Sequence, residues 1–485
     1  MSRNQIVLFG LMVHLLTAFF SVGVHQSDEL FQVYEFAGYK LGINRVGDLP
    51  WEFASQMRSG IQPFIVYSIT KLFLALTVHN PFTISFFIRL CTSLFSFGAT
   101  VLLLRELEKD IKTPQWKNWL WVFGLLFWCL PYFHARFSAE NFSATLFVFG
   151  LVMVLRHLSF PDQNGYLFLA GLFFGLSFWC RFQMSFMIAG LLVWLLFLRK
   201  IKWVPVLLIV AGMLLAFIPG LLADRWLYGQ WTFSPWNYLD LNLFQDKASQ
   251  FGYQPVYYYL NQSLLQLIPP FSLLILGCVF MFWWRFNKHV ITWVTLPFVL
   301  LHILVGHKEL RFLFPILNFL PFMTLYTLQS FQERDHLWKL LSKQWILRVA
   351  LVVNGLLLVY FMFKPADTIS HQLEKIYSTV RGNAPLLLYE RETPYNNLAS
   401  LNYFRNRAVQ TLDLKKDTVG GLRSENVYYI SEKFNEGDKV IKNHTIFVKV
   451  YSNFPVWFSY LNFNGWLERN GTFSIYKMEN RWGDL

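Results

Sequence analysis

Residues 203–222 read WVPVLLIVAGMLLAFIPGLL, a stretch of 20 positions without a charged side chain. A helix of about 20 apolar residues crosses the hydrocarbon core of a bilayer, so this stretch predicts a membrane span. Ten further apolar runs lie near 5–24, 82–104, 118–134, 141–158, 166–181, 183–198, 264–284, 289–306, 311–330 and 345–363. The sequence therefore predicts an α-helical polytopic membrane protein with about 11 transmembrane helices.

The composition of the whole chain agrees with this class. The 485 residues are 55% hydrophobic and 19% aromatic, with a mean hydropathy of +0.36, which excludes an ordinary soluble domain. The net charge is +13, but most Lys and Arg residues lie in short loops between apolar runs, where they orient helices. We therefore expect the lipid bilayer as a partner and no nucleic acid. The four cysteines lie in apolar segments without paired spacing, which predicts neither a disulfide framework nor a metal site.

The basic loops predict the orientation of the helices. With the N-terminus inside, eleven spans place the basic stretches 105–117, 199–202, 285–288 and 334–343 on the cytoplasmic side, as the positive-inside tendency requires. A twelfth apolar run, 60–79, contains Lys71 and would invert every later loop, so we interpret it as a re-entrant or surface-lying segment. The outer side then receives the loops 25–59 and 223–263 and the turns near 136–141 and 307–311.

The predicted transmembrane domain, 1–365, is followed by a region of different character. Residues 366–485 lack long apolar runs and contain short strand-like pieces at 385–389, 427–430, 446–450 and 473–476. This pattern predicts a small α/β domain on the outer face.

Two adjacent carboxylates follow the first apolar run. Asp28 and Glu29 lie just beyond a span, where acidic side chains are costly unless they face water or a partner. Such a pair is therefore a candidate for function. Adjacent residues point in different directions, so only one of them can act as a general base toward a given hydroxyl. We favour Asp28, with Glu29 as the alternative. A helix N-cap would explain the same pair.

Cations gather in the sequence His307-Lys-Glu-Leu-Arg-Phe312, between two apolar runs. Lys308 and Arg311, with His307 beside them and Glu309 as a balancing charge, predict an anion site, because such side chains hold phosphate oxygens through charge-assisted hydrogen bonds. A belt of snorkelling side chains at a helix end is the alternative. Arg58 and Arg181 are further outer-side candidates.

Two other patterns have simpler explanations as well. Arg136 and Glu140 have the i, i+4 spacing of a structural ion pair. The loop 223–263 is rich in aromatic side chains and includes Tyr228 and Asn237. Aromatic rings beside polar amides suit a sugar, but an interfacial aromatic belt has the same composition.

Several of these pieces, taken together and in order, resemble one enzyme family. They are His25, Asp28-Glu29, Phe31-Gln32, Glu35, Trp51-Glu52-Phe53, Arg58, Arg136, Glu140, Tyr228-Gly229, Asn237 and the HKExRF block at 307–312. The chain resembles the α-mannosyltransferases of GPI-anchor and N-glycan precursor assembly, which use polyprenyl-phosphate mannose. The HKExRF block is the most specific element of this resemblance.

The resemblance implies the C-type glycosyltransferase architecture and an inverting transfer of mannose. Mannose would pass from a β-linked lipid phosphate to a glycolipid or lipid-linked glycan acceptor, with no cofactor and no obligatory metal. It implies catalytic roles for Asp28 and Glu29, and donor-phosphate binding by His307, Lys308, Arg311, Arg58 and Arg181. Supporting or sugar-binding roles fall to His25, Glu35, Trp51, Glu52, Arg136, Glu140, Tyr228, Asn237 and Glu309.

The C-terminal region bears on the cellular location. Residues 385–395 resemble the outer segment of the GPI branch, but Glu390-Arg391-Glu392 stands where that branch has Cys-His. We therefore expect a divergent bacterial member in the inner membrane with a periplasmic active site; the alternative is the endoplasmic reticulum with a lumenal site. Transfer of another lipid-phosphate sugar remains open. A lipid or oligosaccharide transporter is less favoured, because the charges gather on one face of the membrane.

Overall fold

The computed structural model describes residues 2–332, 344–380, 385–389, 401–406, 408–413, 426–434, 436–442 and 445–481. The predicted basic stretch 334–343 and the segment 390–395 lie outside these residues. The chain divides into two units. The first comprises Met1–Ser21, Pro50–Val78 and Ile84–Lys364, and the second comprises Val22–Leu49, His79–Thr83 and Pro365–Leu485. Residues 22–49, which we expected in the transmembrane domain, thus group with the C-terminal region.

The first unit is built of apolar helices. By length and composition, five helices of the described residues can cross a membrane: Arg3–Phe20, Pro81–Asp110, Ala139–Ser159, Trp203–Tyr228 and Leu310–Phe331. Two bent pairs raise this number to seven if each is one span: Phe271–Arg285 with Val290–Leu304, and Arg348–Phe363 with Thr368–Thr379, of which Thr368–Thr379 belongs to the second unit. Shorter apolar helices are Ile61–Ala75, Gly165–Cys180 and Phe182–Leu198. The fold is that of a polytopic membrane protein, and the count of eleven spans stays a prediction.

Other helices of this unit are short. They are Trp51–Ala54, Pro114–Leu126, Leu130–His134, Ser234–Leu239, Asp240–Phe244, Lys247–Phe251 and Tyr258–Gln266. The apolar run 118–134 is therefore two helices. Pro131 lies in the first turn of the second one, where its missing N–H costs nothing, whereas it would break a continuous helix.

Small residues bring two helices of this unit into close contact. A Cβ atom on Gly171 would lie 2.0 Å from the carbonyl oxygen of Ile209, and one on Gly212 would lie 2.2 Å from that of Phe168. Helices in a bilayer associate through such small-residue interfaces, because lipid tails provide no hydrophobic driving force for their association. The glycines thus set the distance between the helix Gly165–Cys180 and the helix Trp203–Tyr228.

The second unit contains a six-stranded mixed sheet. The strands are β1 (Leu386–Tyr389), β2 (Gln410–Asp413), β3 (Val427–Ser431), β4 (Lys439–Lys442), β5 (Thr445–Ser452) and β6 (Ser474–Arg481), in the spatial order β2-β1-β3-β6-β5-β4. β1 pairs in parallel with β2 and β3, and the other pairs are antiparallel. The strands β1 and β3 are buried along their whole length, as expected for strands covered on both faces.

The segment 22–49 contributes short helical turns to this unit. They are Ser27–Glu29, the π-helix Leu30–Glu35, Phe36–Lys40 and the 3₁₀ turn Val46–Asp48. The remaining helical pieces are Thr368–Thr379, Asn402–Phe404, Val456–Leu461, Phe463–Gly465 and Trp466–Arg469. The predicted strand pieces 427–430 and 446–450 lie within β3 and β5, and the pieces 385–389 and 473–476 each begin one residue before β1 and β6. The outer location of this unit stays a prediction.

Candidate active site

Three buried charged side chains of the first unit, Glu140, Arg181 and Arg311, lie close together. Ser138 caps the helix Ala139–Ser159 by accepting the N–H of Asn141, which places Glu140 in the first turn. Glu140 Oε1 lies 2.8 Å from Arg181 Nη1 and 3.7 Å from Arg311 Nη1. Their side chains are at most 7% exposed. Buried charges require partners of opposite sign, and here two guanidinium groups share one carboxylate.

A second carboxylate orients the HKExRF block. Glu309 accepts hydrogen bonds from Arg311 Nε at 2.7 Å and from Arg311 Nη2 at 2.9 Å, a bidentate geometry. His307 Nε2 lies 3.2 Å from Glu309 Oε1. The guanidinium carbons of Arg181 and Arg311 lie 5.3 and 5.5 Å from the ring centroid of Phe312. The structure thus unites His307, Glu309, Arg311, Arg181 and Glu140 in one cluster, here called the cation cluster.

The cation cluster contains buried polar atoms without a hydrogen-bond partner among the described residues. They are Arg181 Nε, Arg181 Nη2 and His307 Nδ1. A buried donor without an acceptor costs about 1–3 kcal/mol, and such atoms are rare in folded proteins unless a ligand, an ion or water satisfies them. The N–H groups of two adjacent guanidinium nitrogens, Nε and Nη2, suit the oxygens of a phosphate.

Tyr259, in the aromatic-rich loop 223–263, is a further candidate. Its hydroxyl is buried and has no partner among the described residues. Burial raises the pKa of Tyr259, and the positive charge of Arg181 acts on the same group in the opposite direction. The hydroxyl therefore remains a proton donor near Arg181. One tyrosine among the three consecutive ones at 257–259 has no distinguishing signal in the sequence.

Lys308 has a different environment from the one expected for a phosphate ligand. Its ammonium group donates to the backbone carbonyls of Val305 at 2.6 Å, Gln254 at 3.0 Å and Gly306 at 3.4 Å. An ammonium has three N–H groups, so these acceptors occupy its donors. Lys308 thus fastens the loop at Gln254 to the end of the helix Val290–Leu304.

Arg58 and its neighbours form a second polar group in the first unit. Tyr228 donates its hydroxyl proton to the carbonyl of Arg58 at 2.6 Å, and Asn237 Nδ2 donates to the carbonyl of Gln56 at 3.1 Å. Arg58 Nη2 lies 3.7 Å from Glu52. Arg58 Nε is buried without a partner among the described residues. Tyr228 and Asn237 therefore hold the backbone that carries Arg58.

Aromatic contacts relate Trp51 to the HKExRF block. The ring of Trp51 stacks on Phe251 at 5.9 Å between centroids, and Phe251 lies 6.0 Å from the ring of His307. Lys247 Nζ lies 5.6 Å from the Trp51 ring centroid. These contacts pack part of the loop 223–263 beside the cation cluster.

The expected ion pair between Arg136 and Glu140 is absent from the described residues. Glu140 pairs with Arg181 and Arg311, whereas Arg136 Nη2 donates to the carbonyl of Ser21 at 2.6 Å. The prediction was wrong because the helix begins at Ala139, so Arg136 precedes it and the i, i+4 geometry does not apply.

Asp28 and Glu29 lie in the second unit. They form the turn Ser27–Glu29, which precedes the π-helix Leu30–Glu35. Glu29 is buried, and its Oε2 accepts the backbone N–H of His25 at 2.9 Å. Asp28 is half-buried. His25 thus takes part through its backbone in orienting Glu29, and Asp28 is the more accessible carboxylate.

Glu35 is almost completely buried in the second unit, at 1% exposure. Its carboxylate accepts the backbone N–H of Tyr403 at 3.1 Å and a side-chain N–H of Asn44. Burial raises the pKa of Glu35 from 4.5 to about 7, although both hydrogen bonds act to lower it. A carboxylate in such surroundings holds backbone in place.

The fold is that of a polytopic membrane protein, and the cation cluster is a buried group of arginines and carboxylates within it. A profile of the Alg9-like mannosyltransferase family matches residues 5–383. The chain belongs to this family, which confirms the resemblance found in the sequence.

Individual relatives agree with the family. GPI alpha-1,2-mannosyltransferase 3 of Bos taurus is 25% identical over 69% of this chain and 60% of its own length. GPI mannosyltransferase 3 of Candida albicans is 26% identical, covering 67% and 64%. Mannosyltransferase APTG1 of Arabidopsis thaliana is 24% identical, covering 69% and 60%. The chain thus matches less than two thirds of the length of these relatives.

Proposed function

We propose that this protein transfers mannose from a polyprenyl-phosphate mannose donor to a hydroxyl group of a glycolipid. The observation that carries the proposal is the cation cluster, in which Arg181 has two buried nitrogens, Nε and Nη2, without a partner among the described residues. Membership in a mannosyltransferase family supports mannose as the sugar. A lipid phosphate is the kind of leaving group that such cations stabilise as its charge develops.

The reaction follows from this assignment. The acceptor oxygen forms a bond to C1 of mannose while the bond between C1 and the phosphate oxygen breaks. The phosphate takes the bonding electrons, and Asp28, with Glu29 as the alternative, takes the hydroxyl proton. Attack on the face opposite a β-linked phosphate gives an α-mannoside. Arg181, Arg311 and His307 hold the phosphate, joined by Arg58 and by Tyr259, while Lys308 positions the loop.

The names of the relatives make the acceptor more specific. We propose a GPI-precursor glycolipid as the acceptor and an α-1,2 linkage as the product. The three relatives come from eukaryotes, which favours the endoplasmic reticulum, with a lumenal active site, over a bacterial inner membrane.

Replacement of the proposed base tests this function. Full-length protein in nanodiscs is supplied with polyprenyl-phosphate mannose and a GPI-precursor glycolipid. The substitution Asp28→Asn should lower kcat by roughly 10²- to 10⁴-fold with little change in the KM for the donor, because an amide cannot take the proton. Asp48→Asn, in the same loop, is the matched control and should retain turnover. Full activity in both Asp28→Asn and Glu29→Gln would refute the base assignment.

A further inference from the structure

The segment that carries Asp28 and Glu29 is fastened at its beginning by residues from the C-terminal region. The N–H of Ala366 donates to the carbonyl of Val22 at 2.7 Å, and the N–H of Val24 donates to Asp367 Oδ2 at 3.0 Å. The other oxygen of Asp367 caps the helix Thr368–Thr379 by accepting the N–H of Ser370 at 2.6 Å. One carboxylate thus joins the start of this segment to a helix.

Gly23 makes this attachment possible. Its φ is +96°, a backbone conformation that residues other than glycine rarely adopt. A Cβ atom at this position would lie 2.1 Å from Asp367 Oδ2. Any larger residue would therefore displace the carboxylate that holds Val24.

The same segment is fastened again just after the two acidic residues. Glu35 accepts the N–H of Tyr403, as described above. The ring of the preceding Tyr34 lies 5.2 Å from the ring of Tyr403 and 5.3 Å from that of Phe404. The ring of Phe82 also packs against Phe404, with 5.2 Å between the ring centroids. The second attachment thus combines a buried hydrogen bond to a carboxyl group with aromatic packing.

Asp28 and Glu29 lie between these two attachments, and the bond from His25 N–H to Glu29 braces the segment internally. We propose that residues 365–367 and 401–404 act as a clamp that positions the acidic segment 22–35 for activation of the acceptor hydroxyl. This proposal rests on the proposed function. Gly23, Glu35 and Asp367 are then positioning residues, and the C-terminal region has a direct part in turnover.

A clamp and a merely structural contact predict different kinetics. Misplacement of a catalytic group by about 1 Å can lower a rate by about 10²-fold. Loosening the clamp should therefore lower kcat for transfer to the acceptor and leave the KM for the donor unchanged. A contact that only stabilises the fold would instead lower the amount of active protein and leave kcat per folded molecule unchanged.

The experiment compares two pairs of variants of the full-length protein in nanodiscs, with polyprenyl-phosphate mannose and a GPI-precursor glycolipid. Gly23→Ala should lower kcat by about tenfold or more. Gly42→Ala is its matched control, because Gly42 has a φ of +74° but no atom within 4 Å of an added Cβ; it should retain most turnover. Glu35→Ala should lower kcat in the same way, and Glu35→Gln should lose less, because it keeps an acceptor for the Tyr403 N–H.

The outcomes separate the clamp from the underlying function. The clamp alone would be overturned if Gly23→Ala and Glu35→Ala turned over as fast as Gly42→Ala while Asp28→Asn was inactive. Full turnover of both Asp28→Asn and Glu29→Gln would overturn the base assignment and the clamp with it. Equal, severe loss in Glu35→Gln and Glu35→Ala would overturn the positioning role, because it would mean that Glu35 acts through its own proton.

Discussion

Arg181 uses one nitrogen to hold Glu140 and leaves two others buried without a partner among the described residues. The sequence indicates only that an arginine inside an apolar stretch needs a partner. It does not indicate which carboxylate that is, because Glu140 lies in the helix Ala139–Ser159, whereas Arg181, 41 positions later, lies just after the end of the helix Gly165–Cys180. The pairing identifies Arg181 as a member of the cation cluster at the HKExRF block.

Tyr259 provides a test of this cluster at the scale of a single atom. The substitution Tyr259→Phe removes only the hydroxyl group, which has no partner among the described residues. We expect the KM for polyprenyl-phosphate mannose to rise by roughly fivefold or more, as for the loss of a hydrogen bond of about 1 kcal/mol. The melting temperature should not fall. A lower melting temperature with an unchanged KM would contradict a role in donor binding.

Glu35 predicts a dependence of stability on pH. Its pKa is about 7 in the folded protein and 4.5 ordinarily. Between these values the folded state keeps a proton that the unfolded chain releases, so the free energy of unfolding falls as pH rises from about 4.5 to about 7 and then levels off. The decrease is on the order of 3 kcal/mol.

Thermal unfolding of full-length protein across this pH range checks the prediction. Glu35→Gln should flatten the curve, because an amide does not titrate. Glu479→Gln is the control, since Glu479 is half-exposed in a pair with Lys439, and it should leave the curve as in the wild type. A Glu35→Gln curve parallel to that of the wild type would contradict the prediction.

At the scale of elements, helices pack through glycines that a hydropathy profile treats as neutral. Gly171→Ala would bring a Cβ atom to 2.0 Å from the carbonyl oxygen of Ile209, and backbone cannot move aside as a side chain can. We expect a loss of stability of about 1–3 kcal/mol or more from overpacking, measured as a lower melting temperature.

The matched control is Gly98→Ala, in the helix Pro81–Leu107, because no atom lies within 4 Å of its added Cβ. Alanine favours helix more than glycine does, so this variant should be as stable as the wild type or slightly more stable. Equal melting temperatures for Gly171→Ala and Gly98→Ala would contradict this prediction. They would show that the helices Gly165–Cys180 and Trp203–Tyr228 can move apart without a loss of stability.

At the scale of the whole molecule, the predicted orientation places the C-terminal region on the outer side, together with the acidic segment. This follows from eleven spans and a cytoplasmic N-terminus. A reporter fused after residue 485 should therefore report the outer compartment, and one inserted in the basic loop 199–202 should report the cytoplasm. A cytoplasmic C-terminus would contradict the eleven-span count.

The sequence by itself determined the class of protein, the family and the HKExRF block. Apolar runs of span length, positive loops and consecutive motif residues are local properties, and each can be read without knowledge of what lies opposite in space. The strand-like pieces of the C-terminal region can likewise be identified from local sequence alone.

Only the tertiary structure decided how these residues are used. It paired Glu140 with Arg181 and Arg311 instead of Arg136, and it placed Lys308 on backbone carbonyls. It also joined Glu35 to Tyr403, 368 positions away. These choices depend on which helices and loops pack together, and a buried charge or carboxylate takes whichever partner that packing supplies.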